Sequence, residues 1–297
     1  MNNAVVNVNG EIVKGPEAKI SVFDRSFLYG DSLYEVVRSY GNMFTYVDEH
    51  MERLQTSAKL CQMDLAQSPE FLKQELTRTF GKYREIFPQF ASKDTYCRIV
   101  ISRGVGNIGF GLPCIISGSH YYLILQPLNP PTPEQYQCGF HLKISTRLRN
   151  HPKALDPAMK SGNYLNNILA YLEAANENYD DALLCNADEH ITEGTTFNIF
   201  YVRHGTLATP PLDIGILAGI TRAKTIQIAK KLNLPVIETR FPKERLYEAD
   251  EVFITSTIKE IFPITRIDNR TIGTGEPGPI TKILSRAYTD QTKWLSA

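Results

Sequence analysis

The chain has 297 residues, of which 42% are hydrophobic and 22% are charged, and its 32 basic residues balance its 32 acidic residues. This length and composition are typical of a globular protein of about two domains, and the balanced charge argues against a nucleic-acid-binding or membrane-surface protein. The five scattered cysteines form no CxxC pair, so the sequence predicts neither a disulfide framework nor a metal site.

The first fifteen residues lack the basic start and the long apolar stretch of a signal peptide. Alternating residues around Asn9-Gly10 instead predict a β-hairpin. No apolar run approaches the ~20 residues that a membrane span needs. We therefore expect a cytoplasmic protein that does not bind membranes or nucleic acid, and whose partners are small molecules or further copies of the chain.

The next segments predict a first domain of α+β type over residues 1–126. Its predicted elements are the strands 32–40 and 43–47, a helix from Asp48, a helix capped by Ser68 with Pro69 at its first position, and the strands 96–102 and 121–126. The proline-rich stretch 127–135 is predicted to be the interdomain linker, because proline does not fit the interior of a sheet or a helix.

The remaining residues, 136–297, predict a second and larger domain in which strands and helices are mixed. The predicted strands are 140–147, 181–185, 196–202, 206–209, 236–241 and 252–255, and the predicted helices are 163–176, one starting at Thr221 and one starting near Pro279. The chain contains no internal repeat and no low-complexity segment.

Lys160 stands in a glycine-containing turn directly before a helix. The apolar positions of that helix are predicted to face a core, namely Leu165, Ile168, Leu169 and Leu172. Partial desolvation at such a place would lower the pKa of the lysine and supply the neutral amine that Schiff-base chemistry needs. A solvated lysine near a helix start is, however, the commoner arrangement.

Two further turns carry residue types that suit an anionic aromatic ligand. Glu193, before the strand 197–202, could keep a pyridine nitrogen protonated, although a solvated turn glutamate is the commoner case. Thr221 is a natural N-cap, and the amides of Ile220 and Thr221 would form a phosphate site at the helix start. A plain capped helix explains that threonine equally well. The hydroxyls of residues 255–257 could supply further phosphate donors.

A GxGxxG match at Gly104–Gly109 follows a predicted strand and resembles the dinucleotide fingerprint. The fingerprint requires a helix immediately afterwards, and Pro113 blocks one here. No acidic residue ends a second strand about twenty residues further on. We interpret the segment as a loop, and a nicotinamide-dependent dehydrogenase is the poorer hypothesis.

Taken together, the order and contexts of these segments resemble the class IV, fold-type IV aminotransferases that depend on pyridoxal 5'-phosphate (PLP). The resemblance covers nearly the whole chain. It is carried by K-S-G-N-Y-L-N from Lys160, E-G-T-T-F-N from Glu193, G-I-T-R from Gly219, and H-M-E-R-L, which contains Arg53. The family includes branched-chain aminotransferases, D-amino-acid transaminases and aminodeoxychorismate lyases.

The resemblance implies a small α+β domain, a larger pseudo-barrel α/β domain, PLP as the cofactor and at least a homodimer. It also implies that Lys160 is the catalytic Schiff-base lysine and that Glu193 is the catalytic partner of the ring nitrogen. The cofactor-binding residues predicted in this way are Arg53, Lys160, Tyr164, Glu193, Gly219, Ile220, Thr221, Ser256 and Thr257.

The subfamily features point in two directions. The residues predicted to bind substrate are Tyr29, Tyr34, Val36, Arg38, Tyr96 and Arg98. The Tyr-x-Arg pair at 96–98 and the R-G-V-G loop at 103–106 resemble branched-chain aminotransferases. The sequence Y-E-V-V at 34–37 is similar to D-amino-acid transaminases, whose R-x-H carboxylate trap is nevertheless absent.

These features predict transfer of an amino group from a branched-chain L-amino acid to 2-oxoglutarate. A D-amino-acid or (R)-amine transaminase is the main alternative, and an aminodeoxychorismate lyase is a weaker one. A PLP-binding protein without turnover is the alternative from a different class, although simple storage would not require Glu193.

Overall fold

The computed structural model describes residues 1–295, and the chain forms two compact units. Unit 1 comprises Met1–Asn129 and Met159–Asn163, and unit 2 comprises Pro130–Ala158 and Tyr164–Trp294. The five-residue segment that contains Lys160 therefore belongs to unit 1, and not to the second domain that the sequence predicts over 136–297. Within residues 1–295, every helix is too short or too polar to cross a bilayer.

Unit 1 is a six-stranded antiparallel sheet with helices against one face. Its strands are β1 (Val5–Val8), β2 (Glu11–Lys14), β3 (Ser32–Tyr40), β4 (Met43–Phe44), β5 (Thr95–Ser102) and β6 (His120–Pro127), in the order β2-β1-β6-β5-β3-β4. Its helices are α1 (Arg25–Tyr29), α2 (Val47–Leu60) and α3 (Pro69–Ile86).

Alternation along the paired strands β3 and β5 decides which face of this sheet is covered. Leu33 and Val37 of β3 pack with Cys97 and Ile99 of β5 in a core that α2 and α3 close. Helix α3 begins as predicted, since the Ser68 hydroxyl accepts a hydrogen bond from the Phe71 amide at 3.1 Å. The intervening residues of β3 and β5 lie on the opposite face.

Unit 2 is built on a mixed sheet. Its strands are β7 (Phe140–Leu148), β8 (Asp181–Cys185), β9 (Ile191–Gly194), β10 (Asn198–Arg203), β11 (Thr206–Thr209), β12 (Val236–Glu238), β13 (Glu251–Ser256), β14 (Glu260–Ile267) and β15 (Arg270–Thr271). The sheet order is β12-β11-β10-β13-β14-β7-β8-β9, with β15 on β14. Its helices are α4 (Pro133–Cys138), α5 (Leu165–Asn176), α6 (Ile220–Lys231), α7 (Glu244–Tyr247) and α8 (Pro279–Leu295). Both units combine helices with sheets, which confirms the α+β class.

Part of the segment predicted to be a linker is helical. Helix α4 begins inside the stretch 127–135, with Thr132 and Gln135 forming a capping box and Pro133 at the first helical position. Proline is tolerated there because its missing amide hydrogen would have no partner inside the helix. The proline content of the stretch therefore did not exclude a helix start.

The expected orientation of α5 was wrong. Leu165 is 67% exposed, and Ile168 and Leu172 are each 47% exposed. The buried side of this helix carries Ala170 and Ala174, which pack against β8. An apolar stripe at helical spacing identifies an apolar face, but it does not say which element covers that face. The small side chains of the alanines allow the helix to approach the sheet closely.

Candidate active site

In unit 1, the segment that carries Lys160 extends the edge of β3. The Tyr34 amide donates to the Lys160 carbonyl at 2.9 Å, and the Gly162 amide donates to the Ser32 carbonyl at 2.7 Å. Only the far end of β3 pairs with β4, so this stretch of its edge accepts the added segment. A Cβ atom at Gly162 would lie 2.3 Å from Ser32 Oγ, so any other residue at this position would displace the Ser32 hydroxyl.

The side chain of Lys160 is held by an aromatic ring. Its Nζ donates to Tyr34 Oη at 3.2 Å and lies 4.4 Å from the centre of the Tyr34 ring. The guanidinium carbon of Arg98 is 3.7 Å from the same ring centre. Tyr34 itself is buried. The phenol thus fixes the lysine amine and the arginine close to one another.

Five of the six predicted substrate residues share one face of the unit 1 sheet. In the antiparallel register, Val36 pairs with Arg98 and Arg38 pairs with Tyr96, while Tyr34 pairs with Val100. Because side chains alternate along a strand, these residues point away from the α2 and α3 core. The spacing of two within each strand gives each strand one such face, and the pairing of β3 with β5 joins the two faces.

The two arginines on that face differ in their partners. Arg38 forms an ion pair with Asp94, at 2.9 Å between Nη2 and Oδ2, and its guanidinium stacks on Tyr40. For Arg98, the residues of the described chain provide the Tyr34 ring but no carboxylate within ion-pair distance. A half-buried guanidinium of this kind can accept a carboxylate from a small molecule.

The sixth residue, Tyr29, lies at the end of α1 and contacts the 103–109 loop. Its hydroxyl accepts a hydrogen bond from the Gly109 amide at 3.0 Å, and its ring lies 5.3 Å from that of Phe110. The glycines at 104, 106 and 109 are followed by one 3₁₀ turn at Leu112–Cys114 and not by an α-helix. The segment is therefore a loop, as expected, and lacks the geometry of a dinucleotide site.

Arg53, on α2, is bound to a buried carboxylate. Its Nε and Nη2 donate to Glu35 Oε1 and Oε2 at 2.8 and 2.7 Å, and His50 Nδ1 lies 2.7 Å from Glu35 Oε2. Burial alone would raise the pKa of Glu35, but the charge and hydrogen bonds of Arg53 and His50 hold it well below its usual range. Burial lowers the pKa of His50. The group is therefore an ion pair beside a neutral imidazole.

Ser57 connects this group to the lysine segment. His50, Arg53 and Ser57 are spaced so that they lie on one face of α2, and Ser57 Oγ accepts a hydrogen bond from the Lys160 amide at 3.1 Å. One helix face thus holds both the Glu35 cluster and the backbone of Lys160.

In unit 2, Glu193 is buried and held through both carboxylate oxygens. Arg149 Nε and Nη2 each lie 3.0 Å from Oε1. Asn198 Nδ2 and the Leu217 amide donate to Oε2 at 3.3 and 3.1 Å. These four donors favour the ionised carboxylate.

The helix after the predicted phosphate turn has its N-cap two residues earlier than the sequence predicts. Gly219, and not Thr221, is the N-cap of α6, and no side chain among the described residues caps the helix start. A Cβ atom at Gly219 would lie 2.0 Å from Asn198 Oδ1, which leaves no room for a capping side chain. The first amides of α6, which include those of Ile220 and Thr221, thus present a generic anion site.

The register of the unit 2 sheet brings the hydroxyl cluster to the same place. Asn198 of β10 pairs with Thr255 of β13, so Ser256 and Thr257 follow directly beside it. The Thr255 hydroxyl is buried and has no hydrogen-bond partner among the described residues. Ser256 Oγ accepts from the Lys259 amide at 3.0 Å. Tyr164 lies at the N-cap of α5.

In unit 1, a lysine amine and an arginine suit an aldehyde and an anionic group. In unit 2, a buried carboxylate suits a protonated ring nitrogen, and helix amides and hydroxyls suit a phosphate. No cluster of metal ligands occurs within the part of the chain that the structure describes. A family model, Amino-transferase class IV, matches residues 32–267. The chain belongs to the class IV aminotransferases.

The solved and curated relatives of this class IV aminotransferase agree with the match. The branched-chain-amino-acid aminotransferase of Escherichia coli (strain K12) is 32% identical over 287 residues, 94% of this chain and 90% of the relative. The crystal structure of the Thermoproteus uzoniensis branched-chain aminotransferase with norvaline has a TM-score of 0.84 at 32% identity, covering 97% and 94% of the two chains. That of the Thermobaculum terrenum branched-chain amino acid aminotransferase in its PLP form has a TM-score of 0.84 at 28% identity, covering 99% and 94%. The fold-type IV prediction is confirmed.

The sequence of this class IV aminotransferase did not reveal the residues that contact Arg53 and Glu193. Glu35 and His50 accompany Arg53, and Arg149 and Asn198 accompany Glu193. His50 and Arg53 form an H-x-x-R motif that is visible in the sequence of α2. Glu35, which contacts both residues, lies in the Y-E-V-V segment. Arg149 carried no recognisable spacing, because 44 residues separate it from Glu193.

Proposed function

We propose that this class IV aminotransferase uses PLP to transfer the amino group of a branched-chain L-amino acid to 2-oxoglutarate. The observation that carries the proposal is the Lys160 amine, held on Tyr34 beside Arg98. Relatives that share its fold are branched-chain aminotransferases, and the structure of one of them is of the PLP form. The predicted cytoplasmic location stays a prediction.

When bound, PLP supplies an aldehyde and an electron-accepting pyridine ring. Lys160 would hold the cofactor through its amine, and the same amine, when free, would act as the base that takes the proton from the substrate Cα and gives it back as an acid. Glu193 would keep the ring nitrogen protonated. The phosphate contacts in the proposal are Arg53 in unit 1 and Gly219, Ile220, Thr221, Ser256 and Thr257 in unit 2, with Tyr164 assigned to the phenolic oxygen.

The sheet face of unit 1 supports a substrate that combines an anion with an apolar group. We assign Arg98 to bind the carboxylate of the substrate. Among the described residues, no carboxylate lies within ion-pair distance of its guanidinium. Val36, Tyr96 and Tyr29 are assigned to the side chain of the donor. Asp94 already pairs with Arg38, which gives that arginine a structural role beside the proposed substrate role.

A D-amino-acid or (R)-amine transaminase is the second candidate. The observation that favours it is Val36, which occupies the position where branched-chain enzymes usually have glycine, on the same face as Arg98. A valine there would narrow the pocket and could reverse the placement of carboxylate and side chain. The lyase and the protein without turnover have no comparable support.

The visible absorption spectrum of the protein with PLP tests the proposal. We expect a band from the covalently bound cofactor, and we expect L-leucine, but not D-alanine, to convert it to the pyridoxamine spectrum. Conversion of the band by D-alanine but not by L-leucine would support the second candidate instead. A band that no amino donor discharges would indicate binding without turnover, and the lack of any band would overturn the proposal.

We also infer a homodimer, supported by exposed apolar side chains in each unit. Ile108, Phe110 and Leu112 of the unit 1 loop and Leu165 and Ile168 of α5 are exposed. Exposed apolar groups clustered in this way are typical of an interface between protein chains.

Replacing Leu165 by aspartate is expected to weaken the dimer at least about tenfold, since a charge would be buried there without a partner. Sedimentation velocity over a dilution series measures the change. Leu60→Asp, an exposed leucine at the end of α2, is the control. An unchanged dissociation constant for Leu165→Asp would exclude this helix face from the interface.

A further inference from the structure

We propose that Arg149 is a positioning residue that keeps the cofactor proton on the ring nitrogen by holding Glu193 in its ionised form. The inference rests on the proposed use of PLP. It concerns a residue that the family motifs of the sequence did not include, and it assigns that residue an electrostatic role.

The geometry around Arg149 is rigid. Two of its nitrogens lie 3.0 Å from Glu193 Oε1, and both side chains are nearly buried, at 10% and 6% exposure. Its third nitrogen donates to Asn166 Oδ1 at 3.2 Å, and Asn166 Nδ2 donates in turn to the Leu148 carbonyl at 2.9 Å. The main-chain amide of Arg149 donates to the Cys185 carbonyl at 2.8 Å. These contacts hold the guanidinium in place against Glu193 Oε1.

The position of a proton between a carboxylate and a pyridine nitrogen depends on the surrounding charge. In a buried site, the neutral pair of carboxylic acid and pyridine is favoured over the pair of carboxylate and pyridinium, because burial penalises charged forms. A guanidinium against the carboxylate reverses this preference, since it stabilises only the ionised acid. Asn198 and Leu217, which donate to the other oxygen, act in the same direction.

The role follows from the two Oε1 contacts and not from general positive charge on the strand. Arg147 lies two residues earlier in β7, yet it is exposed, and no ion pair joins it to any residue of the described chain. Both arginines have the same charge and nearly the same sequence position. Arg147 is therefore a matched control for Arg149.

The experiment compares Arg149→Gln, Arg149→Lys and Arg147→Gln, each reconstituted with PLP labelled with ¹⁵N in the ring. The ¹⁵N chemical shift reports whether the ring nitrogen carries the proton. We expect Arg149→Gln to lose most of the protonated signal and to lower kcat by roughly 10- to 100-fold, the range known for groups that orient a functional ligand. KM for the amino donor should change little. Arg149→Lys should keep part of the signal, and Arg147→Gln all of it.

A fully protonated ring nitrogen in Arg149→Gln would overturn the inference, and so would an equal loss in Arg147→Gln. If Arg149→Gln does not fold, the ¹³C carboxyl shift of Glu193 in the unsubstituted protein decides, since a protonated carboxyl at neutral pH contradicts the assigned role. Failure of the proposed function is distinct, because the unsubstituted protein would then give no visible band with PLP.

Discussion

Replacing Lys160 by alanine is expected to abolish transamination, with kcat reduced by about three orders of magnitude or more. The substitution removes both the amine that binds the cofactor covalently and the base that moves the substrate proton. The amine is held at 3.2 Å from Tyr34 Oη and 4.4 Å from the centre of the Tyr34 ring. The visible spectrum with PLP and the rate of keto-acid formation measure the loss.

Lys153→Ala is the matched control for this prediction. Lys153 lies seven residues earlier and is exposed. We expect it to retain both the absorption band and turnover. Turnover by Lys160→Ala at a rate close to that of the unsubstituted protein would contradict the assignment of the base, whatever the behaviour of the control.

Replacing Arg53 by methionine is expected to lower the free energy of unfolding by about 3–5 kcal/mol, the usual cost of leaving a buried charge without its partner. Glu35 is fully buried, and Arg53 donates to both of its carboxylate oxygens. Urea denaturation of the protein without PLP measures this effect separately from cofactor binding. If Arg53 also binds the phosphate, the affinity for PLP should fall in addition.

The sign of the pH dependence follows from the lowered pKa of Glu35. A carboxyl whose folded pKa lies below its unfolded pKa of about 4.3 contributes stability above that pH and loses it as the pH falls. The deficit of Arg53→Met should therefore be greatest near neutral pH and shrink below about pH 4.

Two further variants test that interpretation of Arg53. Lys59→Met removes an exposed charge from the same helix and should change stability by less than about 0.5 kcal/mol. Adding Glu35→Gln to Arg53→Met should restore part of the loss, because the amide does not need a counter-charge. Equal stability of Arg53→Met and the unsubstituted protein would contradict the stabilising role of the ion pair between Arg53 and Glu35.

The sequence by itself determined the chemistry-bearing motifs and the local elements. Lys160 and Glu193 stand in segments whose residue types were sufficient to indicate the family, and the family match confirms it. The alternation within each strand was sufficient to place Tyr34 with Arg38 on one face of β3 and Tyr96 with Arg98 on one face of β5, because strand periodicity is a local property. The pairing that joins these two faces is tertiary. The Ser68 cap of α3 was local in the same sense.

Only the tertiary structure decided which residues support those motifs. Arg149 reaches Glu193 across 44 positions, and the Lys160 segment joins β3 across 126 positions, from Lys160 to Tyr34. Such pairings depend on strand register and helix packing, which no local pattern encodes. The exposed face of α5 was misjudged for the same reason: apolar spacing around Leu165 defines a stripe, whereas its environment depends on which elements pack against the helix.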